Sequence, residues 1–371
     1  MAIYIHYVYK SPLLTWIEIQ FQQNLLNCGV QGAKDSRVRV DGSNTCILEF
    51  FLQLNGRIIR YSVITSEKPV NLIVILGPTA SGKTKLAVRL AKDLPSEIIS
   101  ADSRQVYRGM DIGTGKDLSE YVVDGRAIPC HLIDIVDPSY EFNVFEYQRR
   151  FFTCFSEISS RGMIPIMAGG TGLYIESVLK GYRMLEVPES PELRAELEKE
   201  EIDALVERLL TLNPASHNTT DLCNRKRLIR AIEIQEFTKA WHGSSDGAVP
   251  LIVPLVVGVY WDRSILRQRI THRLEERLKS GMIDEVKNLH ASGIQWEKLD
   301  FFGLEYRYVG LYLRGVLSYQ DMFRTLNTRI HQFAKRQETW FRRMEKQGIK
   351  IHWINGNDYD SLKKIIHRIM K

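Results

Sequence analysis

Between residues 71 and 182 the chain alternates two hydrophobic patterns. Short, nearly unbroken apolar runs have the length and composition of buried strands: NLIVIL (71–76), SEIIS (96–100), CHLIDIV (130–136) and MIPIMAGG (163–170). Between them lie stretches with apolar residues every three or four positions. Leu86, Leu90 and Leu94 mark one such helix in TKLAVRLAKDL, and VFEYQRRFFTCFSEISSRG reads as another that stops at Gly162. Strands alternating with helices predict an α/β fold with a parallel sheet covered on both faces, and ligands in such sheets bind at the carboxyl ends of the strands. Those ends carry residues 77–84, 102–105 and 169–171.

Near Tyr182 the pattern changes. Residues 183–245 contain only helical patterns and short breaks, as expected of a helical insertion. VPLIVPLVVGVYWD (249–262) then returns to strand character, and further helical patterns follow it. The expected organisation is therefore an extension (1–68), a first part of the core (69–182), the insertion (183–245) and a second part of the core with carboxy-terminal helices (246–371). The extension has an irregular pattern, with one hairpin signal in CILEFFLQLNGRIIRYSVI and its turn at Asn55 and Gly56. After Met1 the next methionine is Met110, so the extension is either a genuine appendage or the product of a misplaced start, with translation beginning at a non-Met codon near Val63.

Composition narrows the class. Of the 371 residues 44% are hydrophobic and 25% charged, which is ordinary for a soluble protein. No apolar run approaches the roughly 20 residues of a membrane span, and the first residues lack the organisation of a secretory signal. Cys28, Cys46, Cys130, Cys154 and Cys223 have neither zinc-ligand nor redox spacing, and they read as reduced thiols of a cytoplasmic protein. The net charge of +6 matters mainly through its distribution. CNRKRLIR, RSILRQRITHRLEERLK and HQFAKRQETWFRRMEK concentrate Arg and Lys in helix-like segments. Each alone is compatible with a solvated face; together they favour a polyanionic partner.

Gly77, Pro78, Thr79, Ala80, Ser81, Gly82, Lys83 and Thr84 fit G-x-x-x-x-G-K-[ST], with a strand before and a helix after. The glycines allow backbone N–H groups to converge on phosphate oxygens, Lys83 adds a charge at the terminal phosphate, and the Thr84 hydroxyl suits Mg²⁺. The motif defines the anion without defining the reaction. Asp134 and Asp137 in HLIDIVD are candidates for the metal-holding Asp of an NTPase, so kinase, NTPase and pyrophosphate-releasing transferase all stay open at this point.

The segments that follow are IISADSRQVYRGMDIGTGK (98–116), IPCHLIDIVDP (128–138), AGGTGLY (168–174), NRKRLIRAIE (224–233) and FAKRQETWFRR (333–343). In this order they closely resemble the tRNA dimethylallyltransferases, from about Leu72 to Arg343. The resemblance implies a P-loop NTPase-like sheet with a helical insertion. The implied reaction transfers the five-carbon group of dimethylallyl diphosphate to the exocyclic amine of the adenine on the 3′ side of a tRNA anticodon, with release of pyrophosphate. It implies that the loop holds the donor diphosphate with Mg²⁺ and that Asp102 is the general base. Ser103, Arg104 and Gln105 would contact tRNA near the target base; Thr84 and Thr171 would line the donor and acceptor site; Arg273 would reach the donor diphosphate. Asp102 also suits a turn or N-cap, and Arg273 a solvated helix face. The insertion would clamp the anticodon stem-loop through Arg194 and Lys226, Arg227, Leu228, Ile229 and Arg230, although Leu228 and Ile229 equally suit the core side of a basic helix. A monomer is implied as well.

Two positions depart from the common family pattern. Cys130 stands where His is usual. Glu305, in FGLEYRY, stands where Gly usually precedes Tyr; an acid near an RNA backbone is unfavourable unless it is neutralised. No Cys follows Cys223, so the resemblance is to the bacterial form, without a zinc-finger tail. Rival readings are a nucleoside or nucleotide kinase, which would consume ATP, an adenylate isopentenyltransferase, which would not need the basic insertion, and a non-enzymatic RNA-binding protein.

Overall fold

The structure is a computed structural model. It describes residues 33–40, 46–54, 57–65, 70–213, 222–241, 249–356 and 358–369. The chain divides into two compact units, Met1–Pro69 and Val70–Lys371.

In the first unit β1 (Ala33–Val40), β2 (Cys46–Leu54) and β3 (Arg57–Thr65) form an antiparallel sheet. The register pairs Leu54 with Arg57, which is hairpin geometry with a two-residue connection. The predicted turn residues, Asn55 and Gly56, lie outside the described residues, as does the segment 1–32.

The second unit is built on a six-stranded parallel sheet. Its strands are β4 (Leu72–Leu76), β5 (Ile98–Ala101), β8 (Cys130–His131), β9 (Ile166–Gly169), β10 (Pro254–Tyr260) and β11 (Ile351–Asn355), in the order β11-β10-β4-β9-β5-β8. A small ribbon, β6 (Val122–Val123) with β7 (Arg126–Ala127), lies apart from it. All five residues of β4 are fully buried, because helices cover both faces. Alternate residues of β4 enter two apolar layers. Leu72, Val74 and Leu76 pack with the layer that includes α2 (Val144–Ser160) and α3 (Gly172–Leu179), while Ile73 and Ile75 pack with α1 (Lys83–Asp93).

The insertion comprises α4 (Pro191–Leu197), α5 (Ile202–Leu212) and α6 (Arg225–Ala240). It has a small core of its own, formed by Leu197, Leu205, Leu209, Leu228, Ile229 and Ile232. After β10 the chain runs through α7 (Arg263–Lys279), α8 (Met282–Ala291), α9 (Trp296–Phe302), α10 (Leu304–Leu313) and the 28-residue α11 (Tyr319–Lys346). It ends with β11 and α12 (Tyr359–Ile369).

Two expectations change. The apolar run 130–136 forms a strand only at its first two residues. Leu132 (φ 62°) and Asp134 (φ 54°) adopt left-handed backbone, which breaks the ladder. Asp134 turns instead to the Lys116 ammonium, whose side chain is fully buried between Asp134 and Asp111 and also donates to the Tyr107 carbonyl at 2.8 Å. The second change is β11. It extends the sheet beyond β10 at a place where the pattern suggested only helices, because five residues between two charged helices give little periodicity.

Candidate active site

The ends of β4, β9 and β5 lie side by side, with Gly169 registered against both Leu76 and Ala101. Three loops therefore leave the sheet together. After β4 comes the glycine-rich loop. Ala80 (φ 61°) and Gly82 (φ 87°) both occupy the left-handed region, and Gly82 is the N-cap of α1 without side-chain capping. No acidic residue occupies the first turn of that helix, so its N–H groups and dipole face the loop unopposed.

Lys83 folds back on the loop, and its Nζ donates to the Pro78 carbonyl at 3.3 Å. Burial pushes the Lys83 ammonium down to about 8, with the Asp102 charge opposing that shift and the Arg273 charge adding to it.

Asp102 follows β5 directly. Its Oδ1 accepts the N–H groups of Arg104 at 2.9 Å and Gln105 at 3.3 Å, so one carboxylate oxygen shapes the turn. Oδ2 has no hydrogen bond among the described residues. The turn role therefore occupies one oxygen of the side chain and leaves the other open. Thr171, after β9, accepts the N–H of Ser103 at 3.0 Å and so ties the two loops together.

Elements distant in sequence close the site. Arg273, from α7, approaches the Thr79 hydroxyl at 3.5 Å and donates to the Gly115 carbonyl at 3.2 Å, which Gln105 Nε2 also reaches at 3.3 Å. Burial, with the Arg277 charge adding to it, pushes Arg273 down to about 10, so it stays protonated at neutral pH. Arg269 donates to the Ala80 carbonyl and Trp261 to the Ser81 carbonyl, both at 2.9 Å.

Gln337 of α11 is a buried polar residue in an otherwise apolar stripe. Its Oε1 accepts from Thr79 N, and its Nε2 donates to the Gly170 carbonyl, each at 2.8 Å. Glu285 of α8 accepts the N–H groups of Asp111 at 2.9 Å, Ile112 at 2.6 Å and Gly113 at 2.9 Å, and the Tyr306 hydroxyl at 2.8 Å, which pins the loop that presents Gly115. Neither Gln337 nor Glu285 is among the site residues expected from the sequence. Their one detectable signal is a polar residue at an apolar register position, and for Gln337 that signal is plain.

The NTPase-type acids do not reach this site. Asp134 is held by Lys116, and Asp137 pairs with Arg108 at 3.2 Å.

Candidate RNA contacts divide in two. Lys226 and Arg227 are exposed. Leu228 (0% exposed) and Ile229 (3%) are buried in the core of the insertion and offer RNA no side chain; the KRLIR stretch is an amphipathic helix, with its apolar residues turned inward. Arg194 and Arg230 are half-buried and converge on the carboxylate of Glu233, itself 2% exposed. Burial of Glu233 is outweighed by hydrogen bonds from Arg194, the Ser190 N–H and Arg230, which hold its carboxyl below the usual range. Arg194 also pairs with Glu189 at 2.8 Å. Both arginines thus have charge partners within the insertion.

This geometry agrees with the comparisons. Residues 105–344 match the sequence profile of the IPP transferase family, and residues 70–129 that of the isopentenyl transferases. The chain belongs to the IPP transferase family, which includes the tRNA dimethylallyltransferases. It is 63% identical over 294 residues to tRNA dimethylallyltransferase 1 of Syntrophus aciditrophicus, covering 79% of this chain and 96% of that one. It is 58% identical over 294 residues to tRNA dimethylallyltransferase 1 of Geotalea uraniireducens, covering 79% and 95%. Among solved structures it is similar to the tRNA isopentenylpyrophosphate transferase of Bacillus halodurans, with 35% identity, a TM-score of 0.57, and coverage of 81% of this chain and 94% of that one. A eukaryotic dimethylallyltransferase acting on tRNA, at 22% identity and TM-score 0.64, shares the fold, with coverage of 81% and 77%. Members of the IPP transferase family are prenyltransferases, and the chain is an enzyme of that class. Among the described residues no helix is long and apolar enough to cross a membrane.

Proposed function

We propose that the chain transfers a dimethylallyl group from dimethylallyl diphosphate to the exocyclic amine of the adenine 3′ to the anticodon in tRNA. The observation that carries this reading is the juxtaposition at three adjacent strand ends. A phosphate-binding loop with Lys83 and Arg273 lies beside a carboxylate, Asp102, that has one oxygen uncommitted.

The bond between C1 of the allyl group and the diphosphate oxygen breaks while the adenine nitrogen attacks C1, and the proton of that nitrogen passes to Asp102. Negative charge grows on the leaving pyrophosphate, where the open N-terminus of α1, Lys83 and Arg273 are already oriented. Such preorganised charge needs no rearrangement as the transition state forms.

Thr84, at the start of α1, fits Mg²⁺. Its hydroxyl would offer one hard oxygen beside the phosphate loop to an ion that otherwise prefers phosphate and water oxygens. When bound, Mg²⁺ neutralises charge on the diphosphate.

The adenine must leave its stack to reach Asp102, at a cost of about a few kcal/mol, and less in a loop. The exposed Lys226 and Arg227 on the insertion suit the backbone of the anticodon stem-loop. The protein is expected to act as a monomer in the cytoplasm.

The test is incubation with labelled dimethylallyl diphosphate, Mg²⁺ and unmodified tRNA, followed by nucleoside analysis. Isopentenyladenosine in the digest is the expected product. ATP consumption without prenylation, or label on free adenylate but not on tRNA, would overturn the reading.

A further inference from the structure

Two arginines and a glutamate meet beside the phosphate loop. Arg273 and Arg277, one turn apart on α7, both close on the backbone of Gly115 (φ 66°). A Cβ on that residue would overlap the Arg277 guanidinium and crowd that of Arg273. Glu305, in the first turn of α10, pairs with Arg277 at 3.3 Å, and the two side chains are only 18% and 13% exposed. The acid that is out of place for an RNA surface is therefore paired, and with an arginine that shares the backbone of Gly115 with Arg273. Burial pushes the Glu305 carboxyl up, and Arg277 and then Arg273 pull it back, as expected of an acid within reach of both cations.

We propose that Glu305 is a positioning residue that sets how tightly the site holds the departing pyrophosphate, by fixing the Arg277 guanidinium against α10 and cancelling one of the positive charges gathered at the phosphate loop. The inference rests on the reading of that loop as the diphosphate site.

The physical argument concerns release. Cations that stabilise the leaving group also retain the product, and each added charge near a polyanion multiplies its residence. Lys83, Arg273 and Arg277 surround one region, and without Glu305 two adjacent guanidinium groups would face it uncompensated. At an effective dielectric constant of about 20 and a separation of several ångströms, removing one negative charge tightens binding of an anion on the order of 10-fold or more. An acid at this position trades donor affinity for product release.

The test uses the full chain and inorganic pyrophosphate with Mg²⁺, titrated by calorimetry without tRNA. Glu305→Gln, nearly isosteric, is expected to bind pyrophosphate roughly 10-fold more tightly than the parent. Transfer should then show a pre-steady-state burst followed by a slower steady rate, because release becomes limiting. Glu305→Gly, which has no side chain to misplace, should show the same sign. Adding Arg277→Gln should abolish the gain, since the charge that Glu305 cancels is then absent. Damage to the fold would weaken binding, so the direction separates a charge-setting role from a structural one. Affinity within twofold of the parent, or weaker, in both Glu305 variants overturns the proposal. The reading beneath it has its own control: parent pyrophosphate binding should compete with dimethylallyl diphosphate and be lost in Lys83→Ala. A parent that binds no pyrophosphate overturns the diphosphate-site reading, and this inference with it.

Discussion

The side-chain carbonyl of Gln337 accepts the backbone N–H of Thr79 at 2.8 Å, across 258 positions of sequence. The same amide donates to Gly170, so one residue of the long α11 helix holds the phosphate loop and the loop after β9 at a fixed separation. Gln337→Leu keeps much of the volume but strands a buried N–H and a buried carbonyl, each of which costs about 1–3 kcal/mol when left unpaired. We expect lower stability in denaturant titration and a fall of roughly 10-fold in kcat/KM for the donor, about 1.4 kcal/mol in barrier. Unchanged donor kinetics in a destabilised protein would make Gln337 a packing residue only.

Lys83 supplies a pH dependence. Burial lowers its ammonium to about 8, and a cation is charged below its pKa, so the unloaded site carries this charge at neutral pH and loses it as pH rises through about 8. The profile of kcat/KM for the donor reports ionisations of free enzyme. It should therefore descend above pH 8. Lys83→Arg, which stays protonated throughout, should abolish that descending limb even though its bulkier fork lowers the absolute rate. A limb that persists in Lys83→Arg assigns the ionisation to another group.

Asp102 offers a cleaner test as Asn than as Ala. Asn keeps an acceptor oxygen for the N–H groups of Arg104 and Gln105, so the turn survives, whereas the basic oxygen is lost. Asp102→Asn should bind donor and tRNA nearly as the parent does and slow single-turnover transfer by about 10²–10⁴. Normal single-turnover chemistry would leave Asp102 with the turn role alone.

Local features of this site were legible in the sequence because each is encoded by adjacent residues. The glycine loop, Asp102 and Thr171 each follow an apolar run, and a parallel sheet brings such positions together without further information. What escaped is long-range. Gln337, Glu285 and Arg277 each reach a loop residue more than 150 positions away: Thr79, Asp111 and Gly115. Nothing in their neighbours tells a polar residue turned toward the site from one facing water. The misread strand at 130–136 has a nearer cause: its apolar pattern competes with the buried Lys116, 18 positions away, which pairs with Asp134 outside the ladder. In the insertion, spacing placed Arg227 and Arg230 on one face but could not show that Glu233 takes up the second.

Lys83 and Lys226 should fail in different ways. Lys83 sits against the loop that would carry the leaving diphosphate, donating to Pro78 in the unloaded site. Lys83→Ala should slow the chemical step by about 10²–10³, as removal of a preorganised electrostatic group does, and leave tRNA affinity and its salt dependence unchanged. Lys226 is exposed near the start of α6, within the insertion. Contact with one phosphate would release about one counterion, so Lys226→Ala should weaken tRNA binding and reduce the slope of log affinity against log salt by about 0.7–1. Transfer at saturating tRNA should persist, because no donor-site group has changed. Filter binding across a salt series and single-turnover transfer measure the two effects separately. If Lys83→Ala alters the salt slope while Lys226→Ala matches the parent in both assays, the donor site and the RNA-gripping surface are not divided between the sheet and the insertion.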